Sequence, residues 1–150
     1  MKNIIPSIQT LLLTIPELKY VDEDWGQLDY YSPHFPVQWP CALIDIAAAN
    51  FSNIGMDKMA TPTHRQMATS SISLTIANLK LTNTSGKAPT VQKTQARSIW
   101  EIIDLVHAKI QGVNANATSG KLVRTALQRI KRDDGVQVYT VIYSLESHNV

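Results

Sequence analysis

The fold is decided by the stretch MATSSISLTIANLK, residues Met67–Lys80. Aliphatic and hydroxyl-bearing side chains alternate along it. The aliphatic ones are Ile72, Leu74 and Ile76, and the hydroxyl ones are Ser71, Ser73 and Thr75. Because successive side chains of a strand point to opposite faces, the pattern predicts a strand with one buried and one solvent-exposed face.

A second apolar run, Cys41–Phe51, predicts a largely buried strand before this one. It follows Pro40, and its single charged residue, Asp45, is expected to point away from the core. The residues between the two strands, Ser52–Gln66, are predicted to form a loop of about 15 residues, a length that usually indicates function or disorder.

Two helices are predicted from large apolar residues spaced three and four apart. Asn3–Ile15 has a capping residue at Asn3 and is ended by Pro16, and Gln95–Gly112 is ended by its glycine. The first stripe consists of Ile4, Ile5, Ile8, Leu11, Leu12 and Ile15, and the second of Ile99, Ile102, Ile103, Val106 and Ile110.

The C-terminal part of the chain has two interpretations. The spacing of Leu122, Ala126 and Ile130 within Lys121–Arg132 fits a helix. However, Asp133-Asp134-Gly135 is a hairpin turn sequence, and Val136–Leu145 is rich in β-branched and aromatic residues. We favour a strand for Lys121–Arg132, paired with the strand after the turn.

The remaining segments are predicted as one short strand and three connections. Lys19–Val21 is a candidate short strand, Asp22–Pro40 an extended loop, Leu81–Thr94 a mobile linker and Val113–Gly120 a loop. The prediction for residues 1–150 is one α+β domain. Its sheet is antiparallel, or mixed, with about four strands, two helices on one face, and a long loop between the second and third strands.

Composition excludes several classes. The 17% of charged residues and net charge of +2 argue against long disorder and against a nucleic-acid-binding stripe. The one basic cluster comprises Arg124, Arg129, Lys131 and Arg132 and is followed by two aspartates, as on a solvated strand face. No specific nucleic-acid or membrane partner is expected. Without a signal-peptide pattern or an apolar stretch of about 20 residues, we expect a cytoplasmic chain, or one carried in a particle assembled there.

No catalytic, cofactor or metal site is predicted. Asn116–Leu122 lacks the first glycine and the Ser or Thr of a phosphate-binding loop. The histidines, His34, His64, His107 and His148, have no metal-ligand spacing. Cys41 lies in an apolar run, where a thiol packs as a small hydrophobic group. The chain is therefore not expected to be an enzyme.

Aromatic residues in the loop Asp22–Pro40 allow two interpretations. They either hold the loop against the domain or form a contact patch for a neighbouring subunit, since Trp and Tyr dominate interface hot spots. The second interpretation, extended to the loop Ser52–Gln66, gives the predicted partner-contact residues Trp25, Tyr30, Tyr31, Phe35, Trp39, Met56, Met59 and Arg65.

The order of these elements resembles the tail terminator or tail completion proteins of long-tailed bacteriophages and prophages. The resemblance spans most of the chain. It includes Ile15-Pro16-Glu17-Leu18 after the first helix, the run Pro36–Ile44, the long loop with its alternating strand, the helix ending at Gly112, and a closing basic strand with its partner.

The resemblance implies an α+β protein that forms a homo-oligomeric ring, commonly hexameric. Such a ring caps the finished tail tube and joins it to the head connector, so the implied partners are other copies, the tail tube protein and the head–tail connector protein. It implies no cofactor and a place in the virion tail. Two alternatives stay open: another head–tail connector protein, such as a stopper or adaptor, and a non-viral domain that binds small molecules or peptides.

Overall fold

A computed structural model describes residues 1–30, 34–79 and 84–150, within which five strands form one sheet and three α-helices accompany it. The elements are α1 (Ile4–Leu12), β1 (Tyr20–Glu23), a 3₁₀ turn (Gln27–Asp29), β2 (Cys41–Met56), β3 (His64–Leu79), α2 (Thr90–Ala96), α3 (Ser98–Ile110), β4 (Val123–Ile130) and β5 (Val136–His148).

The sheet is mixed, with the order β1-β2-β3-β5-β4. β1 runs parallel to β2, and the other neighbours are antiparallel. The prediction of an antiparallel, or mixed, sheet of about four strands with two helices is therefore wrong, because the described residues form a larger mixed sheet of five strands with three α-helices. A parallel pair needs a crossover connection of a dozen or more residues, and residues 24–40 supply one between β1 and β2.

The predicted helix Gln95–Gly112 is two helices. It is broken at Arg97, which separates α2 from α3. α2 begins at Thr90, so the end of the predicted linker Leu81–Thr94 is helical, while residues 81–83 lie outside the described part of the chain. Only Ala96 of α2 is buried, and without an apolar stripe this helix gave no periodic signal.

The ends of the two long helices differ in how they are held. α1 begins after Asn3, but the Asn3 side chain makes no capping hydrogen bond, and regular helix ends at Leu12 instead of Ile15. After α3, Gly112 has a φ of +76° and its N–H donates to the Leu122 carbonyl at 2.8 Å. A left-handed residue at this position favours glycine, as the sequence indicated.

The hairpin of β2 and β3 is much longer than predicted. Each strand has 16 residues, about 50 Å of extended chain, and Met56 pairs with His64. The predicted loop Ser52–Gln66 is therefore wrong, since only residues 57–63 connect the strands. A bulge between Asn53 and Gly55, with Gly55 at a φ of +129°, accommodates the turn-forming residues that had indicated a loop.

The C-terminal hairpin confirms the favoured interpretation of residues 121–145. β4 and β5 pair antiparallel, with Ile130 opposite Val138 on either side of the turn. The helical spacing of Leu122, Ala126 and Ile130 was therefore coincidental. The Asp-Gly turn and the β-branched residues of β5 were the stronger signals.

The core lies between the helices and one face of the sheet. Ile72, Leu74 and Ile76 of β3 are fully buried against α1 and α3, as the alternation predicted. The other face, called here the open face, has a smaller cluster of Val37, Cys41, Ala77 and Val138, against which Leu28, Phe35 and Trp39 pack. Beyond this cluster, the open face carries Leu43 and Ile142 among small and polar residues such as Ser71, Ser73 and Thr75.

Candidate assembly interface

The distal part of the long hairpin, residues Asn53–Gln66, is called here the arm. β5 accompanies β3 only from Met67 onward, and β1 accompanies β2 only along residues 41–44. The arm is therefore a two-stranded ribbon that extends beyond the sheet. Because isolated two-stranded hairpins are marginally stable in water, the arm would gain stability from a surface to lie on.

Asp57 organises the turn at the arm's tip. Its N–H donates to the Thr63 carbonyl at 2.8 Å, and its Oδ1 accepts the Met59 N–H at 2.9 Å. This arrangement leaves Met59 95% exposed, and Met56 beside the turn is 62% exposed. Methionine side chains are flexible and polarizable, which suits them to adaptable contact surfaces.

The base of the arm is braced by the C-terminal residues. Arg65 Nε donates to Asn149 Oδ1 at 3.1 Å, and the Asn149 N–H donates to the Gln66 carbonyl at 3.0 Å. The Arg65 side chain is half-buried by this contact. Arg65 therefore positions the arm, and its predicted contact with a partner stays a prediction.

Residues 24–40, called here the aromatic loop, are held by a buried glutamine. Gln27 Nε2 donates to the Glu23 carbonyl at 2.9 Å, and Gln27 Oε1 accepts the Trp25 N–H at 2.9 Å. Gly26 between them has a φ of +90°, which favours glycine. These bonds shape the turn that presents Trp25.

The loop is also tied to the far hairpin by Arg132, whose side chain is only 13% exposed. Its guanidinium donates to Asp29 Oδ1 at 2.7 Å, to the Leu28 carbonyl at 3.0 Å and to Asp134 Oδ2 at 2.6 Å. The hydrogen bond from Arg132 lowers the pKa of Asp134, and the same bond raises the pKa of Arg132.

Some aromatic residues of the loop pack against the domain, and others are exposed and could contact a neighbouring subunit. Phe35 and Trp39 are half-buried, with 6.0 Å between their ring centroids. Both pack against the open-face cluster, so they hold the loop in place. Trp25 and Tyr30 meet edge to face at 5.6 Å and are 54% and 46% exposed. Tyr31 lies outside the described residues.

The exposed members of the predicted contact set therefore lie in two separate places, Trp25 and Tyr30 in the aromatic loop and Met56 and Met59 at the tip of the arm. The aromatic loop leads into the first residue of β2, while Met56 and Met59 follow its other end, about 50 Å of strand away. A single flat partner surface would not bridge this separation easily. Two different neighbours, or two copies, fit it better.

Two exposed aromatic residues, Phe51 on β2 and Trp100 on α3, are absent from the predicted contact residues. The Trp100 ring packs against the Tyr139 ring in a tilted arrangement, with 4.6 Å between ring centroids and 52° between ring planes, and remains partly exposed. The Arg129 guanidinium carbon lies 5.9 Å from the Tyr139 centroid. The only sequence signal for an exposed Trp100 was that it does not belong to the apolar stripe of its helix.

Reactive groups are buried or dispersed. Burial raises the pKa of the Cys41 thiol to about 12, so it is protonated and a poor nucleophile at neutral pH. Burial likewise raises the pKa of Tyr143 to about 12, and its hydroxyl lies 3.2 Å from His107 Nδ1. Among the residues described, no three His, Cys, Asp or Glu side chains are placed to share a metal ion.

α3, with 13 residues, is the longest described helix, and none of these helices combines the length and apolarity of a membrane span.

A depression of about 240 Å³ on the open face is lined by small residues, namely Ala48, Asn50, Thr69, Ser70, Ser71, Thr125 and Ser144.

Comparison with known proteins finds similarity of fold only. No protein-family model and no curated protein matches the sequence. Among solved structures, the chain is similar to a chain from the virion of a native gene transfer agent particle, with a TM-score of 0.50 and 8% sequence identity. The match covers 98% of this chain and 92% of that chain, so the two share a fold over nearly their whole lengths.

Proposed function

We propose that this chain is a structural protein of a phage-like particle, which forms a ring that caps the tail tube and joins it to the head connector. It acts by assembly with other chains and not by catalysis. The observation that carries the proposal is the arm, a two-stranded ribbon that extends beyond the sheet and ends in exposed methionines.

The arm supports an assembly role because of its energetics. An exposed apolar tip is unfavourable in a free chain, and covering it on a neighbour removes apolar surface from water. A ribbon can also reach past the next subunit, which a compact surface patch cannot. Rings need head-to-tail contacts that repeat and close, and a projecting arm is suited to such contacts.

The fold comparison supports the same class. The similar chain belongs to a virion, and the likeness extends over nearly all of both chains. The sequence resemblance to tail terminator proteins points to the tail end that meets the head. Another connector protein of the same particle would use the same kind of arm, so position in the particle is the property to measure.

A role in binding small molecules receives less support. Ligand pockets are usually apolar cavities of about 300–1,000 Å³ with a few converging polar groups. A shallow depression of about 680 Å³ falls in this size range but is lined mainly by charged residues, namely Asp29, Lys131, Arg132 and Asp133, with Ile130 as its apolar residue. The open-face depression is about 240 Å³ and is lined by alanine and small polar side chains. Its floor resembles an ordinary polar sheet face.

The test is to locate the chain in particles from its own source by electron microscopy with a gold-labelled antibody. We expect label at the head-proximal end of the tail, and expect particles that lack the chain to have unjoined heads and tails. Label at another head–tail joint position would favour the stopper or adaptor alternative. Absence of the chain from particles would reject the proposal.

A further inference from the structure

The two edges of the sheet carry opposite charges. β1 and β4 are the outermost strands, separated by about 19 Å across the five-stranded sheet. In the described part of the chain, neither strand has a further strand on its outer side. The two edges are therefore free for contact with another molecule.

The β4 edge is basic and partly apolar. Its exposed cations are Lys121, Arg124, Arg129 and Lys131. Between them, Val123, Leu127 and Ile130 are also exposed, which is unusual for a strand that contacts only one neighbour. An edge strand with exposed apolar residues is a surface that proteins normally cover.

The β1 edge is acidic. Glu17, Asp22, Glu23 and Asp24 lie before, within and directly after β1, with Lys19 as the one basic residue among them. The exposed Trp25 follows immediately and provides an apolar counterpart. Each edge thus combines a majority of one sign of charge with exposed apolar surface, Lys19 being the exception on the acidic edge and the exposed Asp133 the exception at the end of the basic one.

We propose that the β4 edge of one copy docks on the β1 edge of the next copy. The inference rests on the self-assembly in the proposed function and names its interface. Contact between two β4 edges would place four cations against four cations, which is unfavourable, whereas contact between β4 and β1 places cations against carboxylates. Because the two edges differ, the contact repeats from copy to copy and can close into a ring.

The contact is made by side chains more than by extension of the sheet. On β4, the Arg124 N–H already donates to Gln111 Oε1 at 2.9 Å. On β1, the Val21 carbonyl already accepts a hydrogen bond from Gln9 Nε2 at 2.9 Å. Each edge therefore has a backbone group occupied by a glutamine side chain of the same copy, and charge pairing selects the partner edge.

The test uses charge reversal on each edge, read by sedimentation velocity in about 50 mM salt. The basic-edge variant is Arg124→Glu with Lys131→Glu, which leaves Arg129 on Tyr139. The acidic-edge variant is Glu17→Lys with Glu23→Lys. We expect each variant alone to associate at least about tenfold more weakly than the unmodified chain, and expect about 500 mM salt to weaken the unmodified chain as well.

Restoration of association identifies the pair of edges. An equimolar mixture of the two variants should assemble, as should one chain carrying all four substitutions, because both arrangements return opposite charges to every contact. This recovery also shows that the variants are folded. The control is Lys87→Glu with Lys109→Glu, which changes the net charge as much as the basic-edge variant does and should assemble normally.

The outcomes separate this interface from the proposed function. Edge variants that assemble like the unmodified chain, or a mixture that fails to recover, would overturn the interface while leaving a place in the particle open. The same holds for an unmodified chain that stays monomeric in low salt. Loss of duplex DNA binding in the basic-edge variant with intact self-association would assign that edge to nucleic acid and overturn the proposal.

Discussion

Cys41 links burial of one side chain to the pH dependence of stability. Its thiol is fully buried between the sheet and the aromatic loop, and burial raises its pKa from 9.0 to about 12. The unfolded chain therefore loses this proton at a lower pH than the folded chain does. The stabilisation is complete below about pH 9 and is lost as the pH rises toward 12.

We expect the free energy of unfolding to fall by about 1 kcal/mol between pH 8 and pH 10 because of this thiol. Urea unfolding at several pH values measures the change. Cys41→Ala should lower stability at every pH but flatten the slope in this range, since alanine does not titrate. Equal slopes in the two proteins would contradict the assignment.

Arg132 shows how one side chain positions a whole loop. Its bonds to Asp29 and Leu28 connect the aromatic loop to the turn between β4 and β5, and its bond to Asp134 fixes the guanidinium within that turn. Hydrogen bonds to charged groups stabilise by about 1.5–3 kcal/mol when shielded and by less when exposed. Asp29 is largely exposed, so the Leu28 and Asp134 bonds carry most of the effect.

For Arg132→Ala, we expect a loss of about 1–2 kcal/mol and faster amide hydrogen exchange in residues 24–40. Mass spectrometry of exchanged peptides measures the second effect. Arg132→Lys should be intermediate, because an ammonium group cannot reproduce the forked guanidinium geometry. The exposed neighbour Lys131→Ala is the matched control, and equal exchange in both alanine variants would argue against the tether.

The arm can be changed without changing the core of the fold, so its role in assembly can be tested separately from folding. It lies outside the core, and its turn is organised locally by Asp57. Shortening it should therefore affect assembly without affecting folding. Variants of the arm therefore test the proposed function directly.

We expect replacement of residues 57–63 by Asn-Gly to change the free energy of unfolding by no more than about 0.5 kcal/mol, because a two-residue turn can join Met56 and His64. Ring formation, measured by sedimentation velocity and electron microscopy, should be lost. Met56→Ser with Met59→Ser keeps the arm's length and tests its apolar tip alone. A shortened arm that assembles normally would exclude residues 57–63 from the interface.

The molecule as a whole divides into a stable platform and a segment that needs a neighbour. The middle of β3 pairs on both sides and is covered by helices, whereas the arm strands pair only with each other. Local stability follows the number of buried contacts and protected backbone bonds. The two regions should therefore open with very different free energies.

In a dilute monomer, we expect amides of residues 53–66 to exchange much faster than those of residues 72–77. On assembly, the arm amides should become protected while the β3 amides change little. Hydrogen exchange at two protein concentrations, or before and after mixing with tail tubes, makes the comparison. An arm equally protected in both states would mean that it contacts no partner.

Local patterns in the sequence determined several parts of this structure. Alternation in Met67–Lys80 predicted which face of β3 is buried, and apolar spacing predicted α1 and α3. Asp133-Asp134-Gly135 predicted the last hairpin. These features depend on neighbours a few residues apart, so the chain encodes them without reference to the rest of the molecule.

The tertiary structure alone decided the features that depend on distant residues. The parallel pairing of β1, the strand conformation of residues 52–56 and the placement of opposite charges on the two sheet edges all follow from pairing across the sheet. It also decided that Phe35 and Trp39 are packed while Trp25 is exposed. Local propensity is weak in such segments, and cross-strand hydrogen bonding and burial override it.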